Sequence, residues 1–202
     1  MGFVTAMQPH VFGGDATRGG RIEGMQTPGG TGAVRLAAAL AQRSGVKRVL
    51  MGTPSWPNHA QILADLGLEL VPFAHAGADG RTDMAALRAA LAAAGEGDAV
   101  LLHGCCHNPT GIDYTPEEWD EIVALLAASG VLPIVDLAYQ GLGKGWDEDA
   151  YGARLVADRL PEALIAYSCD KNFGLYRDRV GAFYVLTTDA AQTQAALSNS
   201  HL

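Results

Sequence analysis

The chain has 202 residues, 49% of them hydrophobic and 18% charged, enough to enclose one well-buried core in a soluble globular domain. Its net charge of −8, with no basic cluster, argues against a nucleic-acid partner. The three cysteines, two of them adjacent at 105 and 106, form no disulfide framework, and no apolar run is long enough to cross a membrane. Met1–Ala6 lacks the basic and apolar regions of a signal peptide, so a cytoplasmic setting is expected.

In chain order, a weak strand near Ile22–Gln26 runs into Gln26-Thr27-Pro28-Gly29-Gly30-Thr31-Gly32 and then into a helix over Thr31–Gln42. Backbone N–H groups at such a helix start bind phosphate, although the run taken alone is equally an ordinary glycine-rich turn. Gly-Lys-Ser/Thr does not follow, so it is not a P-loop. A strand over Arg48–Gly52 leads to Trp56, an aromatic able to stack on a planar ring or simply to pack in the core. A helix over Asn58–Leu66, a strand over Leu68–Phe73 and a helix over Met84–Ala94 come next.

The apolar strand Asp98–Gly104 ends in His103-Gly104-Cys105-Cys106-His107-Asn108-Pro109-Thr110-Gly111. Its His and Cys spacing matches no zinc motif, and no metal is expected. Asn108, ahead of a rigid Pro-Thr-Gly turn, suits a hydrogen bond to a ring oxygen, and His103 suits support of a carboxylate from behind. The helix over Pro116–Ala128 has Thr115 as N-cap, Pro116 at its first position and Glu118 closing a capping box.

A strand over Leu132–Asp136 places a carboxylate at its end, with Tyr139 three residues on. Such a carboxylate keeps a pyridine nitrogen protonated, and the tyrosine donates to a phenolate oxygen; singly, the two read as a helix cap and a packing residue. After a helix over Tyr151–Leu160 and a strand over Ala163–Tyr167, Ser168, Lys171 and Arg179 follow in one run. The Lys171 amine can form an imine with an aldehyde while Ser168 and Arg179 hold an attached phosphate, which are the demands of pyridoxal 5′-phosphate. A strand over Gly181–Thr187 and a helix over Ala190–Leu197 complete the alternation. Continuous apolar strands between helices predict an α/β three-layer sandwich with a mainly parallel seven-stranded sheet, the last strand antiparallel, as one domain over residues 1–202. The polar residues then gather beyond the carboxyl ends of the strands.

The segments QTPGGTGA (26–33), PSWPNH (54–59), HGCCHNPTGID (103–113), DLAYQG (136–141) and KNFGLYRDRVG (171–181), in this order, resemble the class I aspartate and aromatic amino acid aminotransferases of pyridoxal-phosphate fold type I. The resemblance implies Lys171 as Schiff-base lysine and proton carrier, with Asp136 as the partner of the pyridinium. Tyr139 and Asn108 are then the ring-oxygen ligands, and Gly30, Thr31, Ser168 and Arg179 the phosphate cup. Trp56 is implied as the stacking aromatic and His103 as a supporting histidine. It also implies a homodimer that exchanges an amino group between an amino acid, aspartate or aromatic, and a 2-oxo acid.

Family members are about twice as long. The chain is therefore expected to be the large domain alone, starting after the N-terminal arm and lacking the C-terminal small domain with its carboxylate-gripping arginine, so that activity is impaired. A non-catalytic cofactor-binding remnant or assembly module is the alternative, and a lyase or racemase keeping the same cofactor a third. Asp170 stands where the family has a small residue. Strand alternation is expected to turn it away from the cofactor, as a tolerated substitution.

Overall fold

The computed structural model describes residues 2–200. Seven strands form one sheet: β1 (Ile22–Pro28), β2 (Arg48–Thr53), β3 (Glu69–Ala74), β4 (Asp98–His103), β5 (Leu132–Leu137), β6 (Ala163–Ser168) and β7 (Val180–Leu186). Their spatial order is β1-β7-β6-β5-β4-β2-β3. Only β7 is reversed, pairing antiparallel with both β1 and β6, while the other neighbours pair parallel.

The central strands are buried throughout, and their side chains alternate between two cores because successive side chains leave a strand on opposite faces. Val100 and Leu102 of β4, Ile165 and Tyr167 of β6 and Tyr184 of β7 join one core, beneath α4 (Met84–Ala92), α5 (Pro116–Ser129) and α6 (Tyr151–Arg159). Ala99 and Leu101, Leu164 and Ala166, and Phe183 and Val185 join the other core, beneath α2 (Gly29–Arg43), α3 (Pro57–Asp65) and α7 (Ala190–Ser198). Two helical layers therefore enclose a sheet buried on both faces, as the apolar runs of the sequence require.

Each expected strand and helix is present, with ends shifted by up to two residues. The Thr115–Glu118 capping box forms as expected: Thr115 Oγ1 accepts from the Glu118 N–H at 3.2 Å, and a Glu118 carboxylate oxygen accepts from the Thr115 N–H at 2.8 Å. One helix was not anticipated, α1 (Phe3–Phe12), which contains Pro9. Proline inside a helix costs a hydrogen bond. Here Met7, Val11 and Phe12 bury a stripe against the first core, and the Gln8 amide donates to the Ile22 carbonyl at 2.8 Å. Tertiary burial outweighs the local penalty.

Candidate active site

All parallel strands end at the same edge of the sheet, so β1, β2, β4, β5 and β6 deliver Gly29–Thr31, Trp56, His103, Asp136 and Ser168 to one place. The reversal of β7 matters here. Because it runs the other way, its start, and Arg179 just before it, lie at that edge too.

The first part of the site is an anion cup. Helix α2 begins after Pro28 with no side-chain cap, so its first-turn N–H groups are offered to a ligand. Gly29 has φ of 74°, and a Cβ there would lie 2.7 Å from Arg179 Nη2 and 2.8 Å from Asp170 Oδ2. A Cβ on Gly30 would lie 2.9 Å from that of Ser168. Only glycine admits this convergence. Ser168 is fully buried, and its Oγ accepts from the Asp170 N–H at 3.2 Å. Arg179 has φ of 56°, in the left-handed region that side chains disfavour, and its Nη2 donates to Thr31 Oγ1 at 3.3 Å.

Asp170 is where the structure corrects the expectation. Its side chain is 1% exposed and turns into the cup, where Arg179 Nη1 donates to Oδ2, while Oδ1 has no partner among the described residues. The alternation argument fails because β6 stops at Ser168 and Asp170 lies in the turn beyond it.

The second part is centred on Asp136, buried at the end of β5. His59 Nε2 donates to its Oδ2 at 2.9 Å. Ser55 Oγ lies 3.0 Å from His59 Nδ1 and 3.0 Å from His103 Nε2, and so bridges the two rings. Support of the carboxylate thus comes directly from His59, and His103 acts one relay further back than expected. Burial alone would raise the Asp136 carboxyl; the His59 hydrogen bond and charge, with Lys171, outweigh it and hold the group below the ordinary carboxylate range. His103 contributes little positive charge at neutral pH, since burial lowers it to about 3.

Trp56 caps α3 and meets the His59 ring edge-on, with centroids 5.1 Å apart. Burial, reinforced by the Asp136 charge, raises the Tyr139 phenol, and the Asn108 amide at its hydroxyl pulls the other way. Lys171 Nζ sits 5.2 Å from the Tyr139 ring centroid and 5.6 Å from that of Tyr176. It has no ion pair among the described residues.

Gly30, Thr31, Trp56, His103, Asn108, Asp136, Tyr139 and Lys171 therefore line one cleft, joined by the unforeseen Asp170. Ser168 and Arg179 form its wall behind the glycines. The sequence reading passed over Ser55 and His59, although both stand within the Pro54–His59 segment, because their value lies in a contact with a residue 77 positions away. Asn172 was also passed over; its amide ties the lysine turn to the Gln140 carbonyl and the Tyr167 hydroxyl, each at 3.0 Å.

Among the described residues, Cys105, Cys106 and Asp149 group closely enough to hold a metal ion. The Asp149 carboxylate is already saturated by the N–H groups of Gly141, Gly143 and Lys144. Burial raises both thiols, which disfavours the thiolate a metal needs.

Residues 4–202 match the family model for aminotransferase class I and II. The chain belongs to that family, whose chemistry depends on pyridoxal phosphate. It is 48% identical over 196 residues to an aromatic-amino-acid aminotransferase of Paracoccus denitrificans, covering 96% of this chain and 50% of that protein. It is 46% identical over 192 residues to an aspartate aminotransferase of Haemophilus influenzae, covering 93% of this chain and 48% of that one. An aromatic-amino-acid aminotransferase from Burkholderia pseudomallei, solved covalently bound to pyridoxal phosphate, superposes with a TM-score of 0.94 at 32% identity, over 98% of this chain and 50% of that one. The chain thus spans about half the length of the relatives it matches.

The ring end of the cavity fits this cofactor: a buried, ionised carboxylate, a lysine amine without an ion pair and a flanking aromatic converge there. The glycines at the anion cup leave room that a Cβ would fill, and Asp170 shares that cup.

Proposed function

We propose that this chain is the cofactor-binding portion of a pyridoxal-phosphate aminotransferase that exchanges the amino group of aspartate or an aromatic amino acid with a 2-oxo acid. The observation that carries the reading is one cavity holding both the Lys171 amine, free of any ion pair among the described residues, and the buried Asp136 carboxylate with its His59 partner. When bound, pyridoxal phosphate supplies an electron sink that lets the Cα–H bond of an amino acid ionise.

The chain's own residues divide the remaining work. Lys171 would hold the cofactor through its side-chain amine, and that amine, when free, would move the Cα proton of a substrate. The Asp136 carboxylate, kept ionised by His59, would hold a proton on the ring nitrogen of the cofactor. Tyr139 and Asn108 would donate to the ring oxygen, Trp56 would cover a ring face, and His103 orients His59 through Ser55. Gly30, Thr31, Ser168 and Arg179 would hold the phosphate end through backbone and charged donors wherever Asp170 leaves them free.

A homodimer in the cytoplasm completes the reading. Leu142, Phe173 and Tyr176 are large apolar side chains exposed on the two loops beside the cavity, a surface suited to a second copy. The free cysteines at 105, 106 and 169 suit a reducing compartment.

The test is an absorbance titration of the chain with pyridoxal phosphate beside Lys171→Ala, followed by addition of aspartate or tyrosine. A visible band that requires Lys171, and that either amino acid removes with release of a 2-oxo acid, is the expected result. A band indifferent to Lys171 defeats the reading. A Lys171-dependent band that no amino acid alters leaves the cradle without the activity.

A further inference from the structure

The anion cup already contains an anion. Asp170 is almost fully buried, its Oδ2 takes the Arg179 guanidinium, and its Oδ1 has no hydrogen-bond partner among the described residues. The same carboxylate and guanidinium lie within 3 Å of where a Gly29 Cβ would stand, so both occupy the mouth of the uncapped α2 start. Arg179, one of the donors expected for a phosphate, is thus engaged by a carboxylate belonging to the chain, which sits against the start of α2.

We propose that Asp170 is an internal occupant of the phosphate cup, so that this chain gains little affinity from the phosphate of a pyridoxal-type ligand unless Asp170 is first displaced. The inference rests on the reading of the cavity as the pyridoxal-phosphate site. Its physical basis is twofold. Phosphate oxygens and Oδ1 are all acceptors, so no hydrogen bond can form between them. Two anions in a water-poor cup also repel, and they compete for one guanidinium. A buried carboxylate oxygen without a donor is itself unfavourable, and Asp170 is retained in that state only because Arg179 compensates its charge.

The experiment compares the affinity of the chain for pyridoxal phosphate with that for pyridoxal, read from quenching of tryptophan fluorescence. The same ratio is measured in Asp170→Ser, in the isosteric Asp170→Asn, and in each of these with Lys171→Ala. In the parent, the phosphate is expected to improve affinity by less than about tenfold, against the far larger gain that a charge-paired, hydrogen-bonded phosphate supplies in a cup free of carboxylate. Removing the Asp170 charge is expected to tighten pyridoxal phosphate about tenfold or more and to leave pyridoxal within about twofold, the difference a lost like-charge contact makes. Inorganic phosphate is expected to raise the melting temperature of the two variants more than that of the parent.

A parent that prefers pyridoxal phosphate over pyridoxal by more than about a hundredfold overturns the proposal, and this needs no variant to fold. Folded variants that bind pyridoxal phosphate no more tightly than the parent overturn it as well. The Lys171→Ala background separates the two readings. There no covalent attachment contributes, so the phosphate contrast decides the role of Asp170 whether or not Lys171 carries the cofactor.

Discussion

His59 decides the charge of Asp136. Its side chain is wholly buried and donates to a carboxylate that has almost no solvent. Replacing His59 by Phe keeps the volume and removes the donor, which leaves a buried charge uncompensated and is expected to destabilise the chain by about 3–5 kcal/mol. Urea unfolding at neutral pH checks this, and a loss below about 1 kcal/mol would mean that Asp136 finds another donor. Lys171 contrasts with it: without an ion pair among the described residues, it is expected to tolerate change to Ala with little effect on stability while the cofactor band disappears. Asp136, Lys171 and Tyr139 were legible in the sequence because each follows an apolar strand at a motif position. The inward turn of Asp170 was not, because it depends on where β6 ends.

Among the elements, α5 and α6 meet at a single tight point. A Cβ on Gly152 would lie 2.3 Å from Trp119, so the indole lies directly on the backbone of α6. Alanine is otherwise favoured over glycine in a helix, but at Gly152, in the first turn of α6, it must push Trp119 aside. A net loss of about 1–3 kcal/mol is expected, with a change in tryptophan fluorescence, and an unchanged urea midpoint would show that α6 can withdraw freely. The same kind of contact explains α1, whose Pro9 concealed the helix and whose Met7, Val11 and Phe12 are buried nonetheless. The start of α5 was legible to the residue, because a capping box is a local event among four consecutive positions.

At the scale of the whole molecule, histidines link the site to acid stability. His103 and His107 stand near 6.5 when unperturbed and near 3 in the fold, because burial resists their charging. Between those values the unfolded chain binds more protons than the native one, so stability falls as pH falls from about 6.5 toward 3 and is unaffected by these groups above that window. His103→Gln is expected to flatten that acidic limb, as read from urea midpoints between pH 7 and pH 4.5. An unaltered slope would locate the acid sensitivity elsewhere.

By itself the amino-acid sequence determined the α/β alternation, the number of strands and the family resemblance. These depend on residue periodicity and on motifs shorter than a dozen positions. Only the tertiary structure decided that His59 rather than His103 holds Asp136, that a proline-bearing segment forms α1, and that a carboxylate lies inside the anion cup. Each of these is a contact between distant segments, and its sign depends on which groups burial brings together without water.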